Sequence, residues 1–254
     1  MVEMRRAWGL GAMLAWQDIR QAYRRSAIGP FWITASMAVQ IAAMGVVFGI
    51  IFKTPLYEYL PFLASGIILW NLISGSVVEG CMTFINSESM MKQLDLNVLV
   101  YVLRVVLRNL LNLAHNIVVI PLVFLIMWHP IGWQILLFIP GMLIVLLNLG
   151  WMTVVFGMVS ARYRDVPQTV QALMTIVYFI TPVMWQPQAV GEENAHWLLG
   201  LNPFYHLLQL IRQPFLSASP TLENWALGLV FAGFGWLIAI VAMRKFGKQI
   251  AYWV

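Results

Sequence analysis

Charged residues and cysteine are scarce in this chain of 254 residues. Asp, Glu, Lys and Arg together make up only 10% of it, against roughly 25% in soluble domains, whereas hydrophobic residues make up 61%. The single cysteine, Cys81, excludes an internal disulfide and any multi-cysteine metal or iron–sulfur centre. The composition argues against a soluble enzyme and predicts an integral membrane protein.

The chain also lacks the motifs that bind nucleotides or metals. It contains no G-x-x-x-x-G-K-[S/T] phosphate-binding loop and no H-E-x-x-H zinc motif. His115 is the one ionisable side chain deep within a predicted span, with Glu79 at the inner end of another. Ion-driven transporters normally bury such groups along their pathway, and a lone histidine is more often a hydrogen-bonded packing group. We therefore expect no cofactor in this chain and an energy source outside it.

Six stretches carry no Asp, Glu, Lys or Arg and are apolar enough to form membrane helices. A helix needs about 20 residues to cross a hydrocarbon core of ~30 Å. The stretches are residues 31–52, 59–78, 109–128, 131–161, 166–185 and 225–243. They predict an all-α membrane protein with six transmembrane helices.

The basic residues between the stretches predict the orientation. Six spans divide the 15 Lys and Arg residues into 13 on one side and two, Lys53 and Arg212, on the other. Positive residues remain in the cytoplasm, so both termini are expected there. The basic residues are dispersed along the membrane edges, and this explains the net charge of +5 without a nucleic-acid partner.

A seventh apolar run, residues 195–211, is interpreted as a re-entrant or interfacial helical segment on the outer side. It contains Asn202, Pro203 and two histidines, which are unfavourable in contact with lipid. If it crossed the membrane, the last basic cluster would lie outside and the charge asymmetry would weaken. We expect two short helices in this outer loop, at residues 195–199 and 204–216.

Residues 1–30 are predicted to form an N-terminal amphipathic helix at the cytoplasmic interface, and residues 31–254 the membrane domain. Residues 8–25 have helical periodicity, with two tryptophans on the apolar face and basic residues on the opposite face. The residues expected at the cytoplasmic interface are Arg20, Tyr23, Arg24 and Arg25. The alternative is a helix packed on the spans of the protein itself, and the two arrangements are compatible.

The longest polar segment on the inner side, residues 86–108, is the candidate contact with a soluble partner. Its polar residues alternate with methionines, which adapt to the groove of a partner. The candidate contact residues are Ser87, Glu88, Met90, Met91, Lys92 and Gln93. The alternative interpretation is a solvated connector.

Aromatic residues are abundant, and several lie away from the membrane interfaces. Trp70 is in the middle of a span, and Tyr178, Phe179 and Trp185 lie toward the outer half of the fifth, close to Pro182. Aromatic faces stack on apolar faces, including those of sugar rings. These four residues are the candidates to line a glycan pathway, although most single aromatics are lipid-facing anchors or core residues.

Three segments resemble the polysaccharide-exporting permeases of ATP-binding-cassette transporters. The first is WQDIRQAYRRSAIGPFW at residues 16–32. The second is RYRDV at residues 162–166 with YFITPV at 178–183, and the third is LNPF at 201–204 with Arg212 downstream. The chain departs from the family in its first inner loop, where Leu94-Asp95-Leu96-Asn97 lacks the usual proline.

The resemblance implies a homodimer of six-span permeases in the bacterial inner membrane, working with two separate ATPase subunits that bind ATP and Mg²⁺. The substrates of that family are lipid-linked O-antigen, capsule or teichoic acid polymers, exported from the cytoplasmic side. The segment at Asn202-Pro203 would then close the outer mouth between export events. Three alternatives stay open: an exporter of drugs or small lipids, an intramembrane enzyme acting on lipid-linked sugars, and a scaffold subunit.

Overall fold

A computed structural model describes residues 2–22, 24, 29, 31–94, 96–190 and 198–254, and all regular structure within these ranges is helical. The α-helices are α1 (Val2–Ala22), α2 (Phe31–Phe52), α3 (Leu56–Cys81), α4 (Glu88–Gln93), α5 (Val98–Asn116), α6 (Val119–Ile126), α7 (Phe138–Arg162), α8 (Val166–Ile180), α9 (Pro203–Arg212), α10 (Leu222–Phe246) and α11 (Ile250–Trp253). The all-α membrane fold is confirmed.

Five of the described segments are long and apolar enough to cross a membrane. They are Phe31–Phe52, Leu56–Cys81, Val98–Ile126, Trp133–Arg162 and Leu222–Trp253. Helix α8 is apolar but has only 15 residues, a length of roughly 22 Å at 1.5 Å per residue. It ends at Ile180, before the predicted end at residue 185, because Pro182 has no N–H and disfavours a helical residue before it. The sixth span stays a prediction.

The third span begins earlier than predicted. Residues 86–108 were expected to be a polar inner segment, but α5 begins at Val98, where Asn97 caps it by accepting a bond from the N–H of Leu99 (2.9 Å). The helix therefore includes Arg104 and Arg108. Both arginines are paired with carboxylates, and this pairing allows them to lie on a helix that continues into the membrane.

Helix α3 is the centre of the fold. Of the residues in its apolar stretch 78% are buried, compared with 22% for α2 and for α10. It packs against α2, α5, α7, α8 and α9. Small residues allow this close packing, which is the usual route to helix association in lipid. Gly80 of α3, for example, lies directly against Thr153 of α7.

Helix α1 packs along α5 through a stripe of small and apolar side chains. Ala7, Gly11, Ala15 and Ile19 recur at intervals of four residues and are buried, whereas Trp16 is exposed. The packed face is therefore rotated away from the predicted apolar face, since Trp8 is exposed as well. Helix α1 thus packs on the spans and leaves both tryptophans exposed, and its location at the cytoplasmic interface stays a prediction.

Helices α7 and α10 pack against each other through glycines and through the hydrogen bonds of one asparagine. Asn148 donates to the carbonyl oxygen of Gly228 (3.0 Å) and accepts from the indole N–H of Trp151 (3.0 Å). The ring of Trp151 lies so close to Gly235 that a Cβ there would overlap it. Gly233, two residues earlier on the same helix, is exposed and has open space around it.

We predict that Gly235→Ala lowers the stability of the purified protein by about 1–3 kcal/mol, because the Trp151 ring must move. Gly233→Ala is the matched control. It should be neutral or slightly stabilising, by roughly 0.5–1 kcal/mol, because alanine favours the helix. Thermal unfolding in detergent measures both variants, and equal melting temperatures would contradict this packing.

Candidate substrate groove and the sites at its two ends

An open groove of about 420 Å³ lies between α2, α3 and α8. Its centre is the aromatic pair Trp70 and Tyr178, whose ring centroids are 5.9 Å apart. Amides, hydroxyls and apolar side chains alternate around this pair. The remaining lining residues are Gln40, Met44, Ile67, Asn71, Ser74, Gly75, Val78, Gln171, Met174 and Thr175. This mixture suits a ligand that has both apolar faces and hydroxyl groups.

The four predicted aromatic residues occupy different positions. Trp70 is only 3% exposed and also contacts the ring of Phe204 (6.2 Å), so its edge reaches the groove from the core. Phe179 is 61% exposed and packs edge-on against Tyr178 (5.5 Å). Trp185 donates its indole N–H to the carbonyl oxygen of Phe179 (2.9 Å). The last two residues do not line the groove but flank the end of it that is predicted to face outward, called here the outer end.

Several polar residues of the groove were not among the four residues predicted to line the pathway. Gln171, Thr175 and Tyr178 lie at i, i+4 and i+7 on α8, so they share one helix face. Asn71 and Ser74 follow Trp70 on α3. The helical spacing of the α8 residues was a signal that could have identified them, whereas their pairing with α3 depends on tertiary contacts.

Ion pairs join α1, α5 and α3 at the end predicted to face the cytoplasm, called here the inner end. Asp18 accepts two bonds from Arg104 (2.6 and 2.8 Å) and is 3.4 Å from Arg108, which also donates to Glu79 (2.7 Å). The amide of Asn109 donates to the same Glu79 oxygen (2.6 Å). Two cations and two carboxylates thus balance at half-buried positions. This network holds the amphipathic helix at a defined place on the spans.

The predicted cytoplasmic interface residues are only partly described. Arg20 and Arg24 are exposed. Tyr23 and Arg25 lie outside the described residues. Asp18, which the sequence presented only as part of a motif, makes the charged contact between α1 and the spans.

The candidate partner contact forms a short helix, α4. Glu88 and Lys92 form an exposed ion pair (2.6 Å), and its hydrogen bond lowers the pKa of Glu88, with the nearby Arg164 adding to the effect. Ser87 is buried at the start of the helix. The methionines of α4 pack partly against the core of the protein itself, so they are less free for a partner than predicted.

Helix α4 does not stand alone on the inner side. The charge of Arg164, in the turn between α7 and α8, contributes to the lowered pKa of Glu88. Helix α11 contacts both α4 and α7, and its Ile250 is buried. We call the exposed residues of this area, Glu88, Lys92, Gln93 and Arg164, the docking patch.

A buried turn follows α8, next to the outer end of the groove. Three side chains hold residues 181–185: Asn202 donates to the hydroxyl of Thr181 (2.9 Å), Arg212 to the carbonyl oxygen of Pro182 (2.6 Å) and Tyr59 to that of Met184 (2.7 Å). We call residues 181–185 the outer turn. Asn202 also caps α9 and is followed by Pro203 at the first helical position.

Arg212 was predicted as an outer basic residue, and the structure shows that it is almost completely buried. It is 1% exposed and its guanidinium lies 4.4 Å from the centre of the Phe62 ring. Burial lowers its pKa to about 10, so it remains charged at neutral pH. Gly66 makes room for the turn, since a Cβ there would lie 2.6 Å from the carbonyl oxygen of Val183.

The histidines do not form a catalytic or metal-binding cluster in the described part of the chain. His115 bonds to the carbonyl oxygen of Leu111 (2.8 Å), and His206 bonds to Asn224 (2.8 Å). His129 packs on Phe124 near the loop that precedes α7. These three are separate local contacts.

Comparison with known proteins identifies the family. Residues 11–216 match the ABC-2 type transporter family, and the chain therefore belongs to it. It is a membrane subunit of a transporter, and this class associates with an ABC ATPase subunit.

Two relatives carry the name O-antigen export system permease protein RfbA. The protein from Myxococcus xanthus is 23% identical over 201 residues, covering 79% of this chain and 77% of the relative. One from Klebsiella pneumoniae is 21% identical over 237 residues, covering 91% and 88%.

We predict that Asp18→Asn destabilises the protein by on the order of 1–3 kcal/mol, because it leaves Arg104 and Arg108 half-buried without their full partner. Asp165→Asn is the matched control, since Asp165 is exposed and its side chain does not cap α8. Thermal unfolding measures the global effect. Limited trypsin digestion after the arginines of α1 measures whether the helix detaches, and identical results for the two variants would contradict the role of the network.

Proposed function

We propose that this chain is the transmembrane subunit of an ATP-driven exporter. The exporter moves a lipid-linked polysaccharide of the O-antigen type out of the cytoplasm across the bacterial inner membrane. The family membership supports a transporter, and the names of the relatives support the class of substrate. Two copies of the chain and two ATPase subunits, which bind ATP and Mg²⁺, form the working complex.

The observation that carries this proposal is the aromatic groove at Trp70 and Tyr178. Each aromatic contact with a sugar ring contributes about 1 kcal/mol, which guides a polymer without trapping it. Side-chain amides and hydroxyls, such as those of Gln171 and Thr175, offer hydrogen bonds to sugar hydroxyls. Stacking tolerates different sugars, and this suits a chain that slides.

The groove is open along one flank, and a second copy of the chain would supply the missing wall. A long polymer cannot be released in one alternating-access step, so it needs a continuous conduit through the membrane. Exposed Gln171 and Thr175 on α8, with Gln40 on α2, would then face their counterparts across the conduit.

ATP hydrolysis by the partner would act through the docking patch. Glu88 and Lys92 give α4 a fixed pair of opposite charges that sets its register on the ATPase, while Arg164 extends the contact to the next loop. The contact of α11 with α4 supports a role for the C-terminal helix in bracing this patch. Both termini would lie on this side, as the basic residues indicate.

The outer turn and α9 would close the conduit between export events. Asn202 and Arg212 both bind the outer turn, which directly follows the groove-lining helix α8. Opening the outer mouth would require these bonds to be released or carried along with α8. Pro203 starts α9 next to Asn202 and so fixes where the helix begins.

The test is a double variant, Trp70→Leu with Tyr178→Ala. Leucine keeps apolar volume in the core at the buried position and removes the ring. Loss of two contacts of about 1 kcal/mol each should reduce polymer export on the order of tenfold or more, with insertion and ATPase binding retained. Surface polysaccharide and accumulated internal polymer are measured in cells that express the complete transporter.

Trp128→Ala with Trp133→Ala is the matched control. These tryptophans are 90% and 68% exposed and lie away from the groove. Export at the normal rate in the groove variant, with folding and ATPase binding intact, would contradict the proposed pathway.

A further inference from the structure

A second cleft, of about 270 Å³, lies beside the aromatic groove, between α2, α3 and α5. Four asparagines line it: Asn71, Asn109, Asn112 and Asn116. We call it the amide cleft. It contains no Asp, Glu, Lys or Arg in its lining, and apolar residues such as Ile68 and Leu113 form the rest of its wall.

The amide cleft lies along the middle of two segments that are long and apolar enough to cross a membrane. Asn109, Asn112 and Asn116 are in the middle of the span Val98–Ile126, and Asn71 is in the middle of α3. Side-chain amides at this depth require partners, since water is scarce there. Polar groups within membrane spans are rare and commonly mark a ligand pathway.

Two of the four amides, those of Asn71 and Asn116, are not fully used by contacts within the described part of the protein. Asn116 is only 6% exposed, and its Oδ1 atom is buried without a hydrogen-bond partner among the described residues. Asn71 donates to the thioether sulfur of Met37 at 3.8 Å, and sulfur is a weak acceptor. The cleft therefore retains both acceptor and donor capacity.

Asn148 on α7 illustrates the opposite case. Its Nδ2 donates to the carbonyl oxygens of Ile144 (2.9 Å) and Gly228 (3.0 Å), and its Oδ1 accepts from Trp151 (3.0 Å). It is an asparagine whose amide serves helix packing. Asn71 and Asn116 lack such a full set of partners, so helix packing alone does not account for them.

The chemistry of the lining defines the kind of ligand. Neutral amides donate and accept equally, so they suit hydroxyl groups. A phosphate would require cations, and a cation would require carboxylates or aromatic faces, none of which line the cleft. Apolar walls beside the amides match the apolar faces of a sugar ring.

We propose that the amide cleft is a binding site for an uncharged saccharide attached to a lipid. Its role in transport rests on the proposed function. The cleft would bind a sugar of the lipid-linked substrate before that sugar reaches the aromatic groove. Asn71 lines both the amide cleft and the aromatic groove. Asn112 lines the amide cleft and also a third cleft, which contains the charged residues Asp18 and Glu79. The three spaces thus follow one another around α3.

Helix α2 is the element that separates the amide cleft from the aromatic groove. Ile33 and Met37 of α2 line the first, whereas Gln40 and Met44 line the second. This helix is exposed over most of its length, since only Met37, Ile41 and Gly45 are buried along it. A small displacement of α2 would connect the two spaces past Asn71.

The test measures protection of a cysteine at Asn112 by two amphiphiles with the same alkyl chain. The full chain, with Asn112→Cys and Cys81→Ser, is placed in phospholipid nanodiscs and labelled with a small maleimide. Dodecyl maltoside, which has an uncharged sugar headgroup, should slow labelling several-fold. Dodecylphosphocholine should not, because its headgroup lacks hydroxyls. A cysteine at Leu122, exposed on α6 of the same span, is the control and should respond equally to both.

A second variant tests the amides themselves. Adding Asn116→Leu should abolish the difference between the two amphiphiles, whereas Val118→Leu, at an exposed neighbouring position, should preserve it. Three results would each overturn the sugar site. They are equal protection by both amphiphiles, absence of protection, and failure of the cysteine at residue 112 to label at all.

These outcomes are independent of the export experiment, because the nanodiscs contain no ATPase and no polymer is moved. Absence of protection together with reduced export in the Trp70 and Tyr178 variant would reject the amide cleft alone. Sugar-specific protection together with normal export in that variant would retain the site and reject the proposed pathway.

Discussion

The close packing of α3 against its neighbours is the constraint on which the rest of the structure depends. Lipid tails are as apolar as leucine side chains, so helices associate in a membrane through tight contact and hydrogen bonds. Glycines such as Gly66 and Gly80 allow that contact. Because α3 is held in this way, it presents a fixed surface to the aromatic groove and to the amide cleft beside it.

Charged side chains stabilise both ends of this core by different means. At the inner end, Asp18 and Glu79 neutralise two arginines within a half-buried network. At the outer end, Arg212 has a backbone carbonyl and the face of Phe62 as its partners, which is the geometry of a cation–π contact. The first arrangement fixes the amphipathic helix, and the second fixes the turn after α8. Helix α2, between the two clefts, packs on α3, α5 and α6 and is exposed over most of its length.

The sequence predicted the properties that depend on composition and on local pattern. Uncharged runs identified the helical membrane class, and the amphipathic N-terminal helix followed from its periodicity. Properties that depend on partners distant in sequence could not be predicted. Arg104 and Arg108 appeared to end a polar loop because their acceptors lie on α1 and α3, and Arg212 appeared exposed because Phe62 and Pro182 are far away in the chain. Trp70 and Tyr178 were both selected as aromatics, but their contact is tertiary.

The central claim is that the aromatic groove is completed by a second copy of the chain, and cross-linking tests it most directly. In a Cys81→Ser background, Thr175→Cys places a thiol on the exposed face of α8 beside Tyr178, and Leu229→Cys places one on the outward face of α10. The account predicts that a short bifunctional maleimide joins two chains at position 175 in native membranes and not at position 229. Dimers cross-linked at position 229 alone would contradict it.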